Sequence, residues 1–339
     1  MRTYIVAGDI HISDQPPRGR TATYKADILA KLAWVVARAN ELEAAGLILS
    51  GDLLHRRNAS HTSHRTVQEI RAVLAECNAR VSVVVGNHDL GNGNTLDGQP
   101  ILSVIDGVHV VRLNGASDFD SYIAGIDWQD AFEREGGAAL FAELVRDVRR
   151  PIVVAHAPLT PHPYPFGPET AGWIEIAEVA SEILGHGRGE VVRLIVHSHM
   201  HTGHDLIHYE IDGRPLTFSN PGALSRATVA ADDVAREPSI AVIEYDTDTL
   251  AVSVEYVVVP HRPAAEVMRV EEHERDGDRD DAVQALARAL QRSFAEVVDA
   301  DTLRDLLRTL GRPENIEADV WTRGLALAEA ALDGEVVLE

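Results

Sequence analysis

One cysteine, Cys77, stands among 339 residues, so no internal disulfide can form and the chain suits a reducing compartment. No apolar run approaches the ~20 residues that span a bilayer, so no membrane association is expected. The N-terminus, MRTYIVAGD, enters a strand-like apolar run at once. Without a basic segment, a long apolar stretch or a small-residue cleavage site, no secretory leader is expected and a cytoplasmic location is. No G-x-x-x-x-G-K-[ST] occurs, which excludes ATPase chemistry through a P-loop. Basic charge is also scarce: 31 Lys and Arg face 53 Asp and Glu, for a net charge of −22. Such acidity argues against a nucleic-acid partner, but its distribution is uneven. Residues 1–80 carry +3, residues 81–260 carry −16 and residues 261–339 carry −9. Charges farther apart than ~8 Å are largely screened at physiological salt, so the local surface decides what binds.

What is present is ordinary globular material, 45% apolar and 25% charged, enough for a sizeable core. TYIVAG (3–8), GLILSGD (46–52) and RVSVVVGNHD (80–89) read as strands. Between them lie two helical stretches, the first with Ile28, Leu32, Val35, Val36, Ala39 and Leu42 on one face, the second TVQEIRAVLAEC. Strand, helix, strand, helix, strand points to parallel βαβ units. Further strands are expected at 122–127, 151–156, 191–197, 215–220, 239–246 and 252–260, the last two as a hairpin across D-T-D-T.

Residues 195–204 read IVHSHMHTGH, with histidines at His197, His199, His201 and His204. On this stretch alone, a solvated His-rich loop and a strand end delivering ligands to a metal both fit. Other strand ends bear on the choice. They read Gly8-Asp9-Ile10-His11, Gly51-Asp52, Gly86-Asn87-His88-Asp89 and Ala155-His156. In open α/β sheets, ligands bind beyond the carboxyl ends of strands, so these side chains can converge. A mixed Asp, His and Asn set suits manganese, iron or zinc better than calcium.

Over roughly residues 1–260 this order resembles the calcineurin-like metallophosphoesterases, whose signature reads D-x-H, G-D, G-N-H-[DE], H and G-H-x-H. The resemblance implies a four-layer α/β/β/α sandwich with a C-terminal helical appendage. It implies Asp9, His11 and His201 on one divalent ion, Asn87, His156 and His199 on a second, and Asp52 bridging both. Manganese is the expected metal, with iron or zinc as alternatives. His88 then assists the leaving oxygen without ligating metal. Met200 would let His199 and His201 point to the same side of an extended chain. His197 falls to the strand and His204 to the following loop; a register using His197 and His199 stays open. Ser198 stands where the family has glycine, so strain is expected there if a glycine-like angle is needed.

Within the superfamily, Gly51-Asp52-Leu53-Leu54-His55 departs from the G-D-x-V-D-R-G of protein phosphatases. It looks like the SbcD-type double-strand-break-repair nucleases, in which the histidine matching His55 helps seat DNA. Asn220-Pro221-Gly222-Ala223 and REPSIAVIEYD resemble the same branch. Arg18, Arg20, Arg56 and Arg57 are candidate phosphate contacts. That resemblance implies a DNA exonuclease, with endonuclease activity also open. A coiled-coil ATPase of the SbcC kind and a second copy of the chain are the implied partners. A stand-alone enzyme for cyclic nucleotides or small phosphodiesters is the alternative reading.

The domains are expected at 1–265 for the nuclease, 266–281 for an acidic linker and 282–339 for a helical segment. Val283, Leu286, Ala287, Leu290, Phe294 and Val297 form one stripe there, and Leu303, Leu306, Leu307 and Leu310 another. These stripes can close the protein's own core or dock a partner.

Overall fold

The computed structural model describes residues 1–57, 61–91, 95–105, 110–113, 121–161, 173–185, 191–211, 213–270 and 318–332. The chain divides into two compact units, Met1–Met268 and Arg269–Glu339. Of the second, the helix Ala318–Leu332 is described. Most of the acidic linker and both leucine-rich stripes lie outside the described residues.

The first unit is built from two sheets. Strands β1 (Arg2–Ala7), β2 (Gly46–Ser50), β3 (Arg80–Val84) and β4 (Val110–Arg112) run parallel, and β12 (Ser239–Tyr245) and β13 (Val252–Val258) join antiparallel beside β1. The second sheet places β5 (Ile123–Ile126), β6 (Ile152–His156), β9 (Leu194–Ser198) and β11 (Arg214–Asn220) parallel, with β10 (His204–Ile211) antiparallel at its edge. Two short strands, β7 (Leu159–Thr160) and β8 (Ile174–Glu175), pair with each other. The expected hairpin is present as β12–β13.

Three apolar layers hold these sheets. Tyr4, Val6, Ile48, Val84, Val154, Val196 and Ile243 are buried between them. The opposite face of the first sheet contributes Ile5, Leu47, Leu49 and Val83 to a layer shared with α1 (Tyr24–Glu41), α2 (His64–Ala75) and α3 (Pro100–Ile105). Val153, Ala155 and Ile195 face the other way, against Phe141 and Val145 of α4 (Gly137–Asp147) and Val179 and Ile183 of α5 (Ile176–Gly185). Alternation along each strand therefore feeds apolar side chains to both faces, as a sheet covered on both sides requires. The architecture is the four-layer α/β/β/α sandwich.

Two features differ from the expectation. His204 opens the edge strand β10 instead of lying in a loop; that strand mixes polar and apolar residues, with Asp205, His208 and Glu210 exposed. Strands β2 and β3 also stop early, at Ser50 and Val84. After β2 the backbone turns left-handed, with φ of 98° at Gly51 and 50° at Asp52. The candidate residues after β2 and β3 thus sit just past the strands, on turns.

Candidate metal centre

Five strands end at one place. Asp9 and His11 follow β1, Asp52 and His55 follow β2, Asn87 and His88 follow β3, His156 closes β6, and His199 and His201 follow β9. Backbone bonds stitch these turns together: Asp9 N donates to Gly51 O at 3.2 Å and His11 N to Asp52 O at 2.8 Å. Asp89 joins the turns after β2 and β3, accepting from Leu54 N and Gly86 N, each at 3.0 Å. Its carboxyl, pushed up to about 7 by burial and by Asp52, serves packing and backbone rather than solvent.

Three donor groups result among the described residues, one of them His11 with His55 and His88, and two that include carboxylates. One ligand atom each from Asp9, His11 and His201 lie within 4.8 Å of one another, and Asp52, His156 and His199 form a second such group. Asp52 stands between them, with Oδ2 3.6 Å from His11 Nε2 and 3.5 Å from His156 Nε2. Asn87 Oδ1 completes the second group, 3.1 Å from His156 Nε2 and 3.3 Å from His199 Nδ1.

The arrangement of protons shows that these donors fit cations. His156 Nδ1 lies 3.0 Å from the Ser50 carbonyl and donates to it, which leaves the lone pair of a neutral ring on Nε2, aimed at Asp52 and Asn87. As placed, the Asn87 oxygen faces acceptors; turned over, its nitrogen would donate to His156, His199 and Asp52, and its oxygen would accept from Arg57. A cation satisfies the first orientation, because converging lone pairs need positive charge. Electrostatics agree. Burial works against an ionised Asp52, yet His156 and His11 pull its carboxyl far below the usual range. Burial also pushes His156 down, but Asp52 and Asp9 outweigh it and lift the imidazole to about 9. Without a metal, the site therefore recruits a proton, which a cation must displace.

The backbone is strained where it presents ligands. Asp9, His11, Asp52 and His199 have φ of 49°, 51°, 50° and 96°, a region that costs non-glycine residues on the order of 1–3 kcal/mol each. Ser198, where strain was expected, is free of it; the glycine-like angle has moved one residue on, to His199. Ser198 instead donates its hydroxyl to Ser50 O. A side chain is accommodated there because Gly8 opposite has none: a Cβ on Gly8 would meet Ser50 Oγ at 2.5 Å and Ser198 Cβ at 2.7 Å.

The turn at His199 also corrects the picture of two histidines on one side of an extended chain. His199 faces Asn87 and His156, whereas His201 Nε2 lies 3.0 Å from His11 Nε2. The Asn220-Pro221-Gly222-Ala223 loop braces this turn, with Asn220 Nδ2 donating to Met200 O at 2.9 Å and Ala223 N to His201 O at 2.9 Å. His197 and His204 bond each other instead, Nε2 to Nε2 at 2.8 Å. His204 Nδ1 donates to Asp205 O at 2.6 Å, so the shared proton belongs to His197.

His88 and His55 border the first cluster. His88 N donates to Asp52 Oδ1 at 2.8 Å, and His88 Nδ1 donates to His55 O at 2.7 Å, which leaves His88 Nε2 for other partners. Its ring meets that of His11 edge-on at 4.9 Å and stacks near that of His55 at 5.9 Å. Burial and neighbouring His88 hold His55 down to about 4, so it is neutral at physiological pH.

Of the arginines, Arg18, Arg56 and Arg57 are exposed. Arg20 is not a phosphate contact. It is buried, donates to Val267 O at 2.9 Å and to Arg226 O, and lies over the Tyr24 ring. A guanidinium spent on backbone carbonyls is lost to a ligand. Sequence reasoning also missed Trp128, which follows β5 and stacks on His199 at 4.7 Å. Its position at a strand end, in Gly-Ile-Asp-Trp, was the available signal.

Donor set and fold together define a metal-dependent phosphoester hydrolase whose donors cluster as a dimetal site would need. The chain belongs to the calcineurin-like phosphoesterase family, whose pattern matches residues 2–203. No curated protein sequence matches it. Among solved structures it is similar to the protein TT1561 of Thermus thermophilus, at 16% identity and a TM-score of 0.41 over 75% of this chain and 98% of that one. A dimetal phosphatase from Danio rerio gives 12% identity and a TM-score of 0.46 over 77% and 99%.

Proposed function

We propose that the protein is a phosphodiesterase acting on DNA, the nuclease subunit of an SbcCD-like repair complex, with manganese as its metal. Two bound divalent ions would supply Lewis-acid charge to the phosphate and activate the attacking water. Asp9, His11 and His201 would hold one, Asn87, His156 and His199 the other, and Asp52 both. His88 Nε2 would give a proton to the departing oxygen; the bond from its Nδ1 to His55 O, which orients the ring, supports this role.

The observation that carries the DNA reading is His55. It lies against His11 and His88, with ring centroids 5.3 and 5.9 Å away, and the exposed Arg56 and Arg57 follow it directly. A neutral imidazole beside the proton donor, followed by exposed cations, suits a strand threaded past the site. On the same reading, residues 1–265 are the nuclease, 266–281 the linker and 282–339 the docking segment for a coiled-coil ATPase, in a cytoplasmic homodimer.

The test is incubation of the manganese-loaded protein with labelled linear duplex DNA and, in parallel, a small chromogenic phosphodiester. Metal-dependent shortening of the duplex is expected. Hydrolysis of the small diester alone would favour the stand-alone enzyme.

A further inference from the structure

We propose that His11, His55 and His88 form a third cation position, selective for zinc, and that an ion seated there inhibits the enzyme. The position stands on geometry, and its inhibitory effect rests on the phosphodiesterase reading. One nitrogen from each of the three rings lies within 4.8 Å of the other two. The rings of His55 and His88 meet that of His11 edge-on at 5.3 and 4.9 Å, and they lie 5.9 Å from each other. A second observation is independent of that spacing. His11 Nδ1 and His55 Nδ1 are shielded from solvent and have no hydrogen-bond partner among the described residues. His88 Nδ1 donates to His55 O at 2.7 Å, so a neutral His88 ring carries its lone pair on Nε2. Three neutral imidazoles offer three lone pairs, which one cation can satisfy together.

The donors also decide which cation. The other two groups mix carboxylate with imidazole, through Asp9 in one and Asp52 in the other, whereas this group has no carboxylate. Imidazole suits zinc, and manganese stands lowest in the affinity order of the divalent transition ions. Three histidines with a fourth position left to water or a substrate oxygen make a zinc arrangement. Inhibition follows from the shared atoms. His11 also belongs to the Asp9 group, so zinc here competes for a ligand of the first ion. His88 Nε2 can bind zinc or carry the proton for the departing oxygen, but not both.

The experiment has a structural arm and a kinetic arm. Crystals of wild type, His55→Ala and His88→Ala are grown with zinc and read by anomalous difference maps. Wild type should show a peak about 2.0–2.1 Å from one nitrogen of each ring. Both variants should lose that peak and keep the one at the Asp52 group; if one variant fails to fold, the other decides. Wild-type peaks at the two carboxylate groups alone would overturn the position, as would a peak among the rings that persists in the variants. In solution, zinc is titrated into manganese-loaded protein hydrolysing the small chromogenic diester, each protein being measured against its own manganese rate. The half-inhibiting zinc concentration should rise in His55→Ala by at least roughly 10-fold, since losing even a supporting group costs about 10–100-fold in metal affinity. An unchanged midpoint would overturn the inhibitory role. If wild type hydrolyses no diester, the phosphodiesterase reading fails by itself, and the anomalous maps alone decide the zinc position.

Discussion

At the residue scale, the assignments separate by what each histidine touches. His88 keeps its backbone bond to Asp52 whatever its side chain, so His88→Ala is expected to retain both metals by elemental analysis. Loss of proton assistance should lower the rate by ~10²–10⁴-fold on diesters with poor leaving groups, and far less on activated ones. His55→Ala should impair duplex DNA selectively; uniform loss on all substrates would place His55 in the proton-transfer apparatus. The His-rich stretch makes a second test. His201→Ala should lose metal and activity, because His201 faces His11 and Asp9. His204→Ala removes the acceptor for His197 and should cost about 1 kcal/mol of stability while both ions stay. Elemental analysis and thermal melts of the two variants distinguish these outcomes; metal loss at His204 would invert the ligand assignment.

At the scale of elements, α1 carries an unusual load. Lys31 is buried on its inner face and donates to Leu224 O at 2.9 Å, tying the helix to the segment that bonds back to Gly8 and Asp9. Burial, then the cations of Arg226, Arg20 and Arg236, bring its ammonium from the ordinary 10.5 to about 7. Between these values the unfolded chain binds the proton and the folded chain releases it. Stability should therefore rise with pH from about 7 toward 10.5, by up to about 1.36 kcal/mol per pH unit, and this contribution should be flat below 7. Urea unfolding across that window checks the sign. In Lys31→Met the slope should largely vanish, and an unchanged slope would assign the effect to other groups.

At the scale of the molecule, every proposed metal ligand and both accessory histidines lie in the compact unit Met1–Met268. Its last stretch is bound in, with Arg20 donating to Val267 O and Thr21 N to the same carbonyl at 3.1 Å. Residues 1–268 are therefore expected to stay folded, hold two metals and cleave a small diester. If the proposed docking role holds, what should disappear is stimulation of duplex cleavage by a coiled-coil ATPase partner. Aggregation of the truncated chain would mean that segment 269–339 closes its core. Equal pull-down of the ATPase by full-length and truncated chains would place the partner surface elsewhere.

The sequence by itself determined most of the core strands and two of the helices, and which residues offer donor atoms. Asp, Asn and His at successive strand ends are legible because strands announce themselves by apolar runs and ligand chemistry is local to residue type. Tertiary structure decided how those donors divide. Whether His199 and His201 share one side depends on a φ of 96° at His199, which no spacing rule contains. That Ser198 can replace glycine depends on Gly8 across the sheet interface, 190 positions away in the chain. Arg20 reads as a surface cation in sequence, but packing against Val267 and Tyr24 buries it. Long-range contacts are set by which surfaces meet, and a linear pattern carries only the preference of each surface to be covered.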